Sequence, residues 1–174
     1  KIKFELYPFQ YEVLEEYQKS DYNIVLKSRQ LGISTLSAAY SLWMMLFQND
    51  KNILCIATTK DTAKNLVTKV RIMYEGLPVW LKTAIVENNK LSLVFKNGSQ
   101  IKAIASNESA GRSEALSLLI IDEAAFIDKI DTIWTAAQQT LATGGGCIAL
   151  STPNGVGNWF HKQWVGAEDG TNEF

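Results

Sequence analysis

The feature that most constrains this chain of 174 residues is Leu118-Leu119-Ile120-Ile121, an unbroken branched apolar run that passes directly into two acids, Asp122 and Glu123. A segment apolar on both sides of its backbone has no wet face, so it belongs inside a sheet that is covered on both sides. Runs of similar character lie at residues 23–26, 53–57 and 147–150, and the longest, residues 116–121, contains this one. Between them the apolar period changes to that of a helix. The spacing predicts helices over residues 9–19, with Pro8 able to occupy the first turn, and over 34–48, 61–75, 131–141 and 158–165. A Ser34-Thr35 pair opens the second of these, and Asp61 is a plausible N-cap for the third. Residues 84–87, 91–96 and 100–105 differ in texture. They are short, half apolar and separated by Asn88-Asn89-Lys90 and by Asn97-Gly98, a strong hairpin signal, so they read as a small antiparallel meander. The fold class is α/β, with a mainly parallel sheet, helices on both faces and that meander attached.

Hydrophobic residues make up 47% of the chain and charged residues 20%, a balance that supports a packed core and argues against a disordered or fibrous chain. The net charge of -1 leaves no basic footprint of the kind expected from a self-sufficient DNA-binding domain. If the chain works on DNA, most phosphate contacts lie elsewhere. Cys55 and Cys147 each sit in an apolar run, where a thiol acts as a small hydrophobe, and no disulfide framework or metal-ligand spacing is visible. The most apolar helical stretch, residues 42–47, is too short to cross a bilayer. The chain starts at Lys1 and stops at Phe174 soon after a motif, which reads as one domain, residues 1–174, excised from a longer polypeptide.

In an open parallel sheet, ligands bind beyond the carboxyl ends of the strands. After the first strand comes Lys27-Ser28-Arg29-Gln30-Leu31-Gly32-Ile33-Ser34-Thr35, to be compared with the phosphate-binding pattern G-x-x-x-x-G-K-[ST]. Gly32 and Ser34 fit that pattern. Lys27 stands in the place of the first glycine, and Ile33 in the place of the lysine. A phosphate loop needs backbone N–H groups at a helix N-terminus, one cation for the β- and γ-phosphates and one hydroxyl for Mg²⁺. Gly32 and the following helix can supply the first and Ser34 the hydroxyl, with Thr35 as a second. Ile33 has no charge, whereas Lys27 could fold its flexible stem across the loop, so Lys27 is predicted to replace the missing lysine. A solvated charge at a strand end is the plainer reading of Lys27 taken alone.

Asp122 and Glu123 strengthen the functional reading. The first would serve the Mg²⁺ shell and the second would polarise an attacking water. Taken alone, adjacent acids after a strand often only cap the next helix. Ser151 and Thr152, at the end of another apolar run, could sense the γ-phosphate or the water, although Pro153-Asn154-Gly155 is turn chemistry in any protein. Near the N-terminus, an aromatic ring at Tyr7 or Phe9 could stack on a purine and the Gln10 amide could bond its edge; packing of Tyr7 and Phe9 in the core is the alternative.

Taken in order, these motifs resemble the N-terminal ATPase of the large terminase subunit of tailed bacteriophages, in its T4-like branch. The resemblance spans Phe9-Gln10, Ser28-Arg29-Gln30-Leu31-Gly32, Gly76-Leu77-Pro78-Val79-Trp80-Leu81, Asn97-Gly98-Ser99, Arg112, Asp122-Glu123 and Ser151-Thr152-Pro153-Asn154-Gly155. It implies a RecA-like P-loop (ASCE) NTPase that hydrolyses ATP with Mg²⁺ and drives double-stranded DNA into a procapsid. Phe9 and Gln10 would contact adenine, and residues 27–35 would hold the phosphates. Ser34 and Asp122 would serve the metal, Glu123 would be catalytic, and Ser151 and Thr152 would couple hydrolysis to movement. Ile33 departs from the T4-type loop, and Lys27 resembles the variant with the lysine at the loop's start. Arg29 and Arg112 are both candidates for the arginine that stabilises the transferred phosphate, and a surface salt bridge is the alternative for either. The same resemblance implies a portal, a small terminase subunit and a homo-oligomeric ring as partners, no membrane, and a place in the host cytoplasm docked on the procapsid portal. No acidic cluster follows Gly155 in the manner of the family's nuclease, so no nuclease activity is expected in this piece; His161 has no spaced metal partner, and the Trp43-Met44-Met45 stripe reads as core. A superfamily 2 helicase or restriction-type translocase shares the aromatic-Gln element, the loop and the acid pair. An assembly module that binds nucleotide without hydrolysis, because Ile33 replaced lysine, is the other reading.

Overall fold

The computed structural model describes residues 5–106 and 115–174. Twelve principal elements follow in the order α1 (Pro8–Lys19), β1 (Tyr22–Leu26), α2 (Ile33–Phe47), β2 (Asn52–Ala57), α3 (Lys60–Gly76), β3 (Ile85–Asn88), β4 (Ser92–Phe95), β5 (Gln100–Ala105), β6 (Leu118–Asp122), α4 (Ile130–Leu141), β7 (Gly146–Ser151) and α5 (Trp159–Glu168). The described strands form one sheet in the order β1-β7-β6-β2-β5-β4-β3. From β1 to β5 each pairing is parallel, and β5-β4-β3 is antiparallel. The meander expected from Asn97-Gly98 is therefore an extension of the main sheet, because β5 bonds β2 on one side and β4 on the other.

The sheet is covered on both sides, as the two-sided apolar runs require. On one face Leu36, Met45, Val67 and Val70 of α2 and α3 pack on Ile53, Cys55, Ile120 and Ile148. On the other, Ile133, Trp134 and Phe160 pack on Ile56, Leu119, Ile121 and Ala149. Ile120 faces one core while Leu119 and Ile121 face the other, and all five residues of β6 are buried. Both cysteines are buried as expected, and burial pushes their thiols well above the usual range. Among the described residues no helix is long and apolar enough to cross a membrane.

Small residues let α2 lie close to the sheet. The Ser37 and Ser41 hydroxyls donate back to the Ile33 and Ser37 carbonyls (3.1 and 2.8 Å), which satisfies them inside the core. Tyr17 of α1 reaches the Ser37 hydroxyl at 3.1 Å, and the Tyr40 hydroxyl of α2 donates to the Tyr17 carbonyl at 3.0 Å. Asn97-Gly98-Ser99 stitches the far end of the same helix. Asn97 donates to the Met45 and Gln48 carbonyls at 2.8 and 3.1 Å, and the Ser99 hydroxyl donates to Gln48 at 2.9 Å, so two carbonyls at the end of α2 find side-chain donors.

Two local expectations are corrected. The N-cap of α3 is Thr59, whose hydroxyl accepts from the Thr62 N–H, and Asp61 sits inside the first turn. Trp43 is not core: it is 40% exposed and stacks on Tyr40 at 5.6 Å, because the sheet lies on the Leu42 and Met45 side of α2.

Candidate nucleotide site

Strand register assembles the site. Val25 pairs with Leu150, and Leu150 with Asp122, so three strand ends finish level at the carboxyl edge. Neighbouring strands lie about 4.8 Å apart, which leaves β1 and β6 two spacings apart, within reach of a lysine stem. The Lys27 N–H donates to the Ser151 carbonyl at 3.0 Å and prolongs the ladder by one residue. From there its side chain crosses β7. The ammonium lies 2.8 Å from Oε1 of Glu123 and 3.9 Å from Oδ1 of Asp122, with the side chain 8% exposed. Lys27 thus faces the acids and not bulk solvent.

Glu123 is held from the other side as well. Thr152 donates to Oε2 through its hydroxyl at 3.0 Å and through its N–H at 3.3 Å. Burial pushes the Glu123 carboxyl up, but the Lys27 bond and the two from Thr152 outweigh it and hold the group below its ordinary value. Its backbone is left-handed at φ 56°, an uncommon conformation for a side-chain-bearing residue that is concentrated at functional sites. Asp122, 8% exposed, goes the opposite way: burial raises its carboxyl, with the Lys27 charge and the Ser34 hydroxyl opposing that rise. Beneath them Ser151 is buried, its hydroxyl donating to the Thr152 carbonyl and accepting the Ala125 N–H. Asn154 donates to the Ala125 carbonyl at 2.9 Å, so the turn after β7 is tied to the segment after β6.

The loop between β1 and α2 bends through two left-handed residues, Gln30 at φ 64° and Gly32 at φ 74°. Gly32 is the N-cap of α2, so the free N–H groups of the first turn lie at this edge. A cavity of about 260 Å³ is lined by Lys27, Ser28, Gln30 to Thr35 and, from α3, Lys69. Ile33 in the lysine position is buried at 3% and carries no charge into that cavity. The Ser34 hydroxyl and the Asp122 carboxylate are hard oxygen donors brought together from α2 and β6, a set that suits Mg²⁺.

The N-terminal element divides in two. Gln10 is 3% exposed: Oε1 accepts the Tyr7 N–H at 3.0 Å, and Nε2 donates to the Leu31 carbonyl at 2.8 Å. Its amide is a strut under the loop, and a Cβ on Gly32 would stand 2.7 Å from Nε2. Tyr7 and Phe9 instead stack on each other at the surface, 65% and 36% exposed, so the core-packing alternative for these rings is not what the fold adopts. Arg29 is exposed and outside the cavity lining. Arg112 lies outside the described residues. Sequence reasoning missed Lys69, which carries no local signal: a lysine inside an amphipathic helix reads as a solvated face.

The family model described as the N-terminal part of the T4-like-virus type of terminase large subunit matches residues 24–173. Among solved structures, the large terminase ATPase domain of Thermus phage P74-26 is similar at a TM-score of 0.71 and 22% identity, over 91% of this chain and 69% of that one. The large terminase of bacteriophage HK97 gives 0.77 at 20% identity, over 98% of this chain and 39% of that one. A large terminase from a thermophilic bacteriophage, crystallised with ADP, gives 0.74 at 17% identity, over 97% and 44%. At these identities the structural likeness establishes the fold, which is that of the terminase ATPase domains. The chain spans under half the length of the last two.

Proposed function

This chain belongs to the T4-type family of terminase large subunits as its N-terminal domain, and from that premise we propose that it binds Mg·ATP in the cavity between the loop and α3 and hydrolyses it to drive double-stranded DNA into a procapsid. The observation that carries the reading is the Lys27 ammonium, brought from the front of the loop to the acids that end β6. A phosphate loop without a lysine at its usual position needs a cation from elsewhere, and Lys27 is pre-positioned at the strand ends.

The residues divide the work as follows. The N–H groups of the first turn of α2, behind Gly32, cradle phosphate oxygens with residues 28–35, and Lys27 pairs with the terminal phosphates. Ser34 and Asp122 would hold Mg²⁺, which when bound neutralises charge on the phosphate oxygens. Lys27 and Thr152 occupy both oxygens of Glu123. Phosphates that draw Lys27 away release one oxygen, and Glu123 then orients the attacking water and accepts its proton. Thr152 and Ser151 carry that change into the turn after β7, the coupling role. Phe9 offers an exposed ring for adenine, and Gln10 acts first as the strut of the loop while keeping one amide hydrogen for the base. Arg29 or Arg112 stabilises the transferred phosphate within one subunit or across a ring of copies, an effect worth roughly 10³ to 10⁵ in rate. The portal, the small terminase subunit and DNA contacts mostly outside this chain complete the motor, which works in the host cytoplasm docked on the procapsid.

Calorimetric titration with Mg·ATPγS, together with phosphate release from ATP, tests this reading on the parent and on Lys27→Ala. The variant should bind about tenfold or more weakly, as loss of a charged hydrogen bond worth roughly 1.5–3 kcal/mol implies, and its hydrolysis should collapse. A parent that binds nucleotide but never hydrolyses it, even with its assembly partners, would instead be the inactive module.

A further inference from the structure

The cavity holds a second cation that no sequence motif announces. Lys69 sits in the middle of α3, directly after β2, so α3 starts at the same carboxyl edge as the loop. Helical side chains tilt toward the helix N-terminus, and here that tilt carries the Lys69 stem back toward this edge, where it lines the cavity beside Ile33 and Ser34. Its neighbours Val67 and Val70 are fully buried against the sheet, which fixes the azimuth of α3 and leaves Lys69 half-buried on the side toward α2.

The state of its amine separates Lys69 from an ordinary surface lysine. Lys27, the other lysine of the cavity, is paired with two carboxylates. Lys69 has no hydrogen bond and no carboxylate within 4 Å among the described residues, and its charge acts on Asp122 only at longer range. A half-buried ammonium that lines a cavity and has no close partner among the described residues is free to pair with an incoming anion. The loop also needs it: with Ile33 uncharged, the triphosphate brings more negative charge than Lys27 and one metal ion neutralise.

We propose that Lys69 is a phosphate-binding residue, a second ammonium that closes on the nucleotide's phosphates from the α3 side and shares with Lys27 the task left vacant at Ile33. This rests on the nucleotide reading of the cavity and deepens it.

The test compares Mg·ATPγS affinity in the parent, Lys69→Met, Lys69→Arg and Lys27→Ala, each at two salt concentrations, with the melting temperature of the nucleotide-free chain alongside. Lys69→Met should bind about tenfold more weakly and lose part of the salt sensitivity, since one ionic contact is gone. Its nucleotide-free melting temperature should stay close to the parent's, and Lys69→Arg should recover most of the affinity. Parental affinity in Lys69→Met, with Lys27→Ala impaired, overturns the role of Lys69 and leaves the ATPase reading standing. Unchanged salt sensitivity in Lys69→Met overturns it too, whatever that variant's melting temperature. A parent that binds no nucleotide overturns both.

Discussion

The Lys27 ammonium and the Glu123 carboxylate meet at 2.8 Å across 96 positions of sequence. The contact joins the loop before α2 to the acid that would activate water, and Thr152 on the other carboxylate oxygen joins both to the turn after β7. A single carboxylate is thus shared by the three strand ends on which binding, hydrolysis and coupling would depend.

Glu123→Gln keeps one acceptor oxygen, enough for Lys27 or for Thr152 but not for both, and cannot take a proton. Nucleotide affinity is expected to stay within about threefold of the parent, while hydrolysis falls by roughly 10²–10⁴, the usual contribution of a general base. Calorimetry and phosphate release on the same preparation check this. Parental turnover in the variant would remove Glu123 from the chemistry.

Gly32→Ala introduces a side chain at φ 74°, with its Cβ 2.7 Å from the Gln10 amide nitrogen. The left-handed conformation alone costs about 1–2 kcal/mol, and in a chain of this length each 1 kcal/mol lowers the Tm by roughly 2–4 °C. Nucleotide affinity should fall as well, because the Gln10 to Leu31 bond shapes the loop. Thermal denaturation with and without Mg·ATPγS reads both effects; a variant that matches the parent in both would mean that the loop tolerates another path.

Asn97→Ala removes the donor to the Met45 and Gln48 carbonyls at the end of α2. Ser99 still bonds the Gln48 carbonyl, but leaving that of Met45 unpaired should cost about 1–3 kcal/mol, seen as a lower Tm. Nucleotide affinity should remain within about twofold of the parent, since the turn lies at the opposite end of α2 from Gly32. A loss of affinity without a loss of stability would contradict the structural role assigned to Asn97-Gly98-Ser99.

Tyr17 predicts an alkaline limit. Burial against α2 pushes its hydroxyl up from 10.0 to about 12, with the Ser37 bond only partly opposing the rise. A raised folded value means that the contribution is whole below the unfolded value of 10.0 and is lost as pH climbs from there to about 12. At roughly 1.4 kcal/mol per unit, the loss approaches about 2–3 kcal/mol. Tyr17→Phe should be less stable than the parent at neutral pH and show a shallower decline above pH 10 in denaturant melts; equal slopes would assign the alkaline transition to other groups.

The order of strands and helices was legible because it rests on local period. Leu118 to Ile121 could only be an interior strand, and Asn97-Gly98 could only turn a hairpin. The limits were less legible: the strand ending in Asp122 begins at Leu118, which pairs with Gly146 where β7 begins, and not at 116. The cap of α3 went to Thr59 over Asp61 because a hydroxyl one residue before the helix reaches the Thr62 N–H. That Lys27, Asp122 and Glu123 come to one edge of the sheet was legible from their places after apolar runs, and Ser34 from its place at the head of a helix. The place of Lys69 on the cavity and the strut formed by Gln10 were not, and the exposure of Trp43 depends on which side of α2 the sheet takes.

Residue type and spacing by themselves determined which segments are strands, which are helices and which loops carry charge, since burial and backbone pairing follow from the pattern along the chain. Only the tertiary structure decided what those charges meet. Strand order put β7 between β1 and β6 so that Lys27 reaches Glu123, and the packing azimuth of α3 turned Lys69 toward the loop. Both depend on how elements distant in sequence lie against one another, and no local run of residues encodes that.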